Sequence, residues 1–183
     1  MKLDISDLIK GNKTYPSWST NSTHNLEGYK KQDGILVYYK TKSNKLISRW
    51  FPKKIEITPK LCYILGIIKG EGSNSLGKSN YRRFTFTNSD FVLVSIVLEE
   101  LEKHKLFSKQ KIIKKSIHLL HYTKPKEEVI NFWSKKLKIP KEKFKCFETK
   151  MKTSQFGVCH LYISDVLLRR VVDLIHDNLI KIP

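Results

Sequence analysis

With 183 residues, 40% of them hydrophobic, the chain can build one sizeable core, alone or with an appendage. Its 35 Lys and Arg against 17 Asp and Glu give a formal charge of +18, more than solubility asks for and the electrostatic footprint of a nucleic-acid binder. Three scattered cysteines (Cys62, Cys146, Cys159) exclude a disulfide framework and a C-x-x-C zinc site, and no apolar run reaches the ~18–20 residues of a membrane span. With no apolar signal segment in "MKLDISDLIKGNK", a soluble, intracellular protein is expected, in the cytoplasm or an organelle matrix.

Residues 4–10 read as a short helix capped by Asp4 or Ser6. Residues 11–33 are polar and turn-rich, with isolated aromatics such as Tyr15 and Trp18. "GILVYYKT" and "LISRWFP" flank the turn Lys42-Ser43-Asn44-Lys45 and predict a hairpin. Pro52 and Pro59 bracket a basic connector, which places a domain boundary between an N-terminal appendage, 1–57, and a main domain, 58–183.

Thr58-Pro59 predicts a cap and first turn for a helix running to about Gly70. Two strand candidates follow, the second over 81–87. There Phe84 and Phe86 face one way, and Arg83, Thr85 and Thr87 the other. Asn88 and Ser89 then signal the cap of a helix with Phe91, Val94, Leu98 and Leu101 on one stripe. Residues 109–121 form a basic strand candidate, and Pro125 opens a helix that turns Val129, Phe132, Trp133 and Leu137 to the core. The lysine-rich stretch 135–152 reads as solvated and partner-facing. "SQFGVCHLYIS" reads as a strand with Cys159 and His160 in its packing, and Ser164 caps a closing helix. His118 and His121 have no metal-binding companions nearby. The order predicts an α+β fold with an antiparallel sheet in one layer and helices in the other.

The informative stretch is "LCYILGIIKGEGS", residues 61–73. The helix is apolar around its circumference, which predicts burial on all sides. Gly66 and Gly70 share a face, where each costs ~1 kcal/mol relative to alanine, so a second backbone is expected to come close. Glu71 sits at the helix end where the dipole disfavours an anion, before Gly72 as a left-handed cap. A hard divalent cation such as Mg²⁺ would favour a carboxylate there.

Residues 64–72, Ile-Leu-Gly-Ile-Ile-Lys-Gly-Glu-Gly, resemble the motif of the LAGLIDADG homing endonucleases, and the helix–strand–strand–helix order downstream resembles that family's unit over roughly 59–180. The resemblance implies a saddle-shaped antiparallel sheet with helices on one face. It further implies a homodimer that cuts double-stranded DNA by Mg²⁺-assisted phosphodiester hydrolysis. Leu65, Gly66, Lys69 and Gly70 would form the dimer interface. Glu71, with Gly70 beside it, would hold the metal, and Asn88 would organise catalytic water unless it is simply a helix cap. Lys78, Arg82, Arg83, Thr85, Thr87, Lys150 and Lys152 would contact DNA. Lys69 departs from the family, which has an acidic residue there. A non-cleaving DNA-binding regulator and an RNA-binding intron maturase stay open beside the nuclease.

Overall fold

The computed structural model describes residues 1–16, 21–71, 84–150 and 152–180. The N-terminal part contains β1 (Lys2–Asp4), α1 (Ile5–Ile9), β2 (Glu27–Lys31), β3 (Gly34–Lys40), β4 (Leu46–Phe51) and β5 (Lys54–Glu56). α1 starts where the Asp4 carboxylate accepts the Ser6 amide at 2.9 Å. β3 and β4 form the expected hairpin, and β2 adds a third antiparallel strand. β2 lay within the segment read as turns because its inward face carries Gly28 instead of an apolar side chain. A Cβ there would come within 2.6 Å of the Ile9 side chain and 2.7 Å of that of Ile35. β1 and β5 pair through only three residues each, too few for alternation to show.

The boundary at residue 57 separates architectures without separating cores. Ile5, Ile35, Ile55 and Leu61 belong to one continuous cluster of buried side chains. Polar contacts cross it as well. Arg49 on β4 pairs with Asp165 and donates to the Leu106 carbonyl at 2.7 Å. Arg170 donates to the Lys13 carbonyl at 2.8 Å.

The second part contains α2 (Pro59–Glu71), β6 (Phe84–Asn88), α3 (Phe91–Lys103), β7 (Ile117–His121), α4 (Lys126–Leu137), β8 (Phe144–Glu148), β9 (Val158–Ile163) and α5 (Val166–Leu179). The Thr58 hydroxyl accepts the Leu61 amide at 3.1 Å, as its cap role predicts. The closing helix is capped by Asp165, whose carboxylate takes the Leu168 amide at 2.8 Å, and not by Ser164. Trp133 is fully buried and donates to the Phe156 carbonyl at 2.7 Å, which agrees with its reading as core.

The fold is α+β, but its four-stranded sheet is mixed. The order is β6-β9-β7-β8, with β9 antiparallel to β6 and β7, and β7 parallel to β8. The all-antiparallel expectation fails because α4 returns the chain across the sheet before β8 begins. β8 itself lies in the stretch read as solvated. Lys145 hides an alternation in which Phe144 and Cys146 face inward at 5% and 6% exposure. The candidate strand 109–121 is ordered as a strand only over β7, and Lys109–Lys111 make a 3₁₀ turn. The strand candidate before 81–87, together with residues 81–83, lies outside the described residues.

Gly157 has φ +78°, and a Cβ there would lie 2.2 Å from the Leu120 carbonyl oxygen. Gly157→Ala is therefore expected to destabilise the protein by about 1–3 kcal/mol from the backbone conformation alone, with the backbone clash added. Urea unfolding reads the effect, and an unchanged midpoint would show that the β8–β9 connection relaxes at no cost.

Candidate functional site

α2 is not buried on all sides within its own chain. Leu61, Ile64, Leu65 and Ile68 are sealed against the core, whereas Cys62, Tyr63, Gly66 and Gly70 are exposed along the opposite side, Tyr63 at 62%. Nothing among the described residues comes within 4 Å of a Cβ built at Gly66 or Gly70. The backbone approach that two glycines on one face suggest is thus not made among the described residues. Of the four residues expected at an interface, Gly66 and Gly70 lie on the open side. Leu65 does not, being 1% exposed in its own core.

Lys69 is turned inward to α5. Its Nζ meets Asp173 Oδ1 at 2.7 Å and Asp177 Oδ1 at 3.6 Å. Asp173 is only 1% exposed and also binds Arg169 Nε at 2.7 Å and the Tyr15 hydroxyl. Burial alone would raise its pKa. The bonds from Lys69 and Tyr15 and the charge of Arg169 outweigh that and hold the carboxyl below its ordinary value. The same cluster pushes the Tyr15 phenol up to about 12, through burial first and the Asp173 charge second. The lysine that departs from the family pattern thus anchors the end of α2 to α5 and the N-terminal part.

Glu71 is the last residue of α2, exposed and without an ion pair among the described residues. Its carboxylate oxygens are therefore available to a hard cation. No group of three His, Cys, Asp or Glu gathers among the described residues. One carboxylate per chain suits Mg²⁺, which takes one or two carboxylates and fills its octahedron with water and phosphate oxygens. Gly70 precedes Glu71 on the exposed side. Asn88 closes β6, and its Oδ1 accepts the Asp90 amide at 2.8 Å. Asp90 in turn caps α3 through the Val92 amide. Asn88 thus braces the turn before α3, and the cap is Asp90, not Asn88 or Ser89 as the sequence suggests.

One face of the four-stranded sheet packs on the helices through Phe84, Phe86, Ile117, Leu119, Cys146, Cys159 and Leu161. Burial pushes the Cys146 and Cys159 thiols up. The other face carries Thr85 and Thr87 from β6, His160 and Tyr162 from β9, His118 from β7, and Lys145 and Phe147 from β8. His118 sits 4.8 Å from the Tyr162 ring and 5.2 Å from Phe147, and Lys145 lies 4.7 Å from the centre of Phe147. Thr87 Oγ1 meets His160 Nδ1 at 3.0 Å. Burial, and then the neighbouring His118, lower the pKa of His160.

Thr85 is on this face by register but only 3% exposed, with no hydrogen-bond partner for its hydroxyl. It pairs directly with Tyr162, whose larger ring stands beside it. An outward direction on the strand was legible; its burial was not. Lys150 and Lys152 are exposed in the β8–β9 connection, which leaves the sheet at the edge opposite β6. Lys78, Arg82 and Arg83 lie outside the described residues. The histidines and aromatics of β7–β9 were missed as surface residues, although alternation in 158–163 and 144–148 marks their side of the sheet.

The molecule is thus an α+β protein of high positive charge with one bare, small-residue helix face and an aromatic, basic sheet face. Comparison with protein-family models, curated sequences and solved structures finds no match. Among the described residues no helix is long and apolar enough to cross a membrane.

Proposed function

We propose that the protein is a site-specific endonuclease of the LAGLIDADG type, acting on double-stranded DNA as a homodimer with Mg²⁺. The observation that carries the reading is the open side of α2. Cys62, Gly66 and Gly70 are exposed at four-residue intervals on a helix whose other side is core, and the helix ends on Glu71, which makes no ion pair among the described residues. A second copy packed there would cover the glycines and bring two Glu71 carboxylates together over the scissile phosphates of the two strands. Two such carboxylates suit Mg²⁺ held jointly with phosphate oxygens, where the metal activates water and neutralises the leaving oxygen. The charge of +18, with Lys145 on the outer sheet face, supports binding to a long duplex through its phosphates.

Cys62 supplies the test of assembly, since it is exposed on this side while Cys146 and Cys159 are buried. At micromolar protein its reaction with a thiol reagent is expected to slow at least about tenfold relative to dilute protein, as dimerisation shields it. Gly66→Leu should restore fast reaction and sediment as a monomer, because its side chain holds the helices apart. Concentration-independent reactivity, with a monomer in sedimentation both with and without DNA, would remove the basis of the proposal.

A further inference from the structure

The N-terminal three-stranded sheet presents a second exposed surface, unconnected with Glu71. Its inner face is closed by Ile35, Val37 and Phe51. On its outer face Tyr29, Leu36 and Trp50 are directly paired and form a row across all three strands. Tyr29 is 57% exposed and Trp50 46%, large aromatic areas to leave in water. Beside Trp50 opens a cleft of about 450 Å³, lined by Lys31, Asp33, Phe51, Pro52, Lys105 and Lys111. That volume is within the range of small-ligand sites. Three lysines against one carboxylate leave it cationic, and none of the three makes an ion pair among the described residues.

We propose that this surface binds single-stranded nucleic acid, with an unpaired base stacked on Trp50 and its phosphates on Lys105 and Lys111. The chemistry argues for unpaired bases. In a duplex each base face is already covered by its neighbours, so an exposed indole has nothing to stack on, whereas a single strand offers its bases freely. Lys31 Nζ lies 5.8 Å from the Trp50 ring centre, near the limit of a cation–π contact. Such a contact at an exposed site is worth about 2–5-fold in an equilibrium, and base stacking roughly 5–150-fold. A base therefore displaces the ammonium, which is then free to meet phosphate. Tyr29, two strands away at about 10 Å, offers a platform for a second base.

The test uses the full chain and labelled oligomers of deoxythymidine and of uridine, with a random-sequence, blunt-ended two-strand duplex as the control. Trp50→Ala is expected to weaken single-strand binding roughly 5–150-fold while duplex affinity stays within about twofold. Lys105→Glu with Lys111→Glu should weaken it comparably and make its loss with salt shallower, since two phosphate contacts are gone. Tighter binding of uridine than of deoxythymidine would assign the site to RNA, and the reverse to DNA, each in support. Trp50→Phe, which keeps a ring in place, should retain most of the affinity and guards against a folding defect in the alanine variant. Single-strand binding unmoved by either set of substitutions overturns the proposal. So does a sedimentation shift caused by Trp50→Ala without any single-strand binding, since the row would then be a contact between copies. The duplex arm reports on the nuclease reading separately.

Discussion

Asp173→Ala is expected to lower the unfolding free energy by about 3–5 kcal/mol. The carboxylate is 1% exposed and receives Lys69, Arg169 and Tyr15 together. Its removal leaves the Arg169 head, whose side chain is 13% exposed, buried without its anion. Lys69, at 31%, can swing partly into water, which places the effect towards the lower end. Asp173→Asn keeps the shape and should still cost most of the same, because charge rather than volume is what the two cations lose. Tyr15→Phe removes a neutral hydroxyl from the Asp173 cluster, not a charge, and should cost only about 1–3 kcal/mol. Urea midpoints measured side by side check this ranking, and equal effects for Tyr15→Phe and Asp173→Ala would refute it.

The same hub sets a pH dependence at both extremes. The Asp173 pKa is lower in the folded state than the ordinary 3.8. Its contribution is therefore fully present above that value and is lost as pH falls through the folded pKa. The Tyr15 pKa is raised from 10.0 to about 12, so its contribution is complete below 10 and is lost as pH rises towards 12. In Asp173→Asn the acid-side loss of stability should be shallower than in the wild type, and in Tyr15→Phe the alkaline-side loss should be shallower.

The second large effect is chemical. Glu71→Gln should reduce cleavage of a plasmid bearing the target site, the site having been selected by binding from a random duplex library, by roughly a thousandfold or more. The metal's Lewis-acid contribution is worth several kcal/mol, and each 1.36 kcal/mol is a factor of ten. Binding should persist or tighten, because an exposed anion beside the phosphates is gone from each chain. Ca²⁺ should support binding with little cutting, since its larger and looser shell fixes the oxygens less strictly than the octahedron of Mg²⁺. Unimpaired cutting by Glu71→Gln would make the carboxylate a bystander. Tight duplex binding by the wild type with no cutting under Mg²⁺ would point to a regulator on the same fold. Preference for structured intron RNA over duplex would point to a maturase.

Local signals in the sequence placed α2, α3, α4 and α5 because each helix carries start signals near its first turn or an apolar pattern of its own, although the caps of α3 and α5 fall on Asp90 and Asp165. Thr58 before Pro59 and the run Val94, Leu98, Leu101 need no distant partner to be read. The same holds for the β3–β4 hairpin, whose turn and alternation lie within twenty residues. The excess of 18 positive charges and the pair Gly66 and Gly70 ahead of Glu71 were legible for the same reason: composition and spacing are one-dimensional quantities.

Whatever depends on residues far apart in the chain was decided only by the tertiary structure. β2 exists because Gly28 admits Ile9 and Ile35, and β8 runs parallel to β7 because α4 crosses the sheet between them. Thr85 pairs with Tyr162, 77 positions further along, on the outward side of the sheet and is nonetheless buried. Lys69, which the sequence left without a partner, is held by Asp173 across 104 positions. Burial and ion pairing depend on which side chains share a volume. That is fixed only when α2, α5 and the N-terminal strands close on one core, and at that point no described residue covers Gly66 and Gly70 of α2.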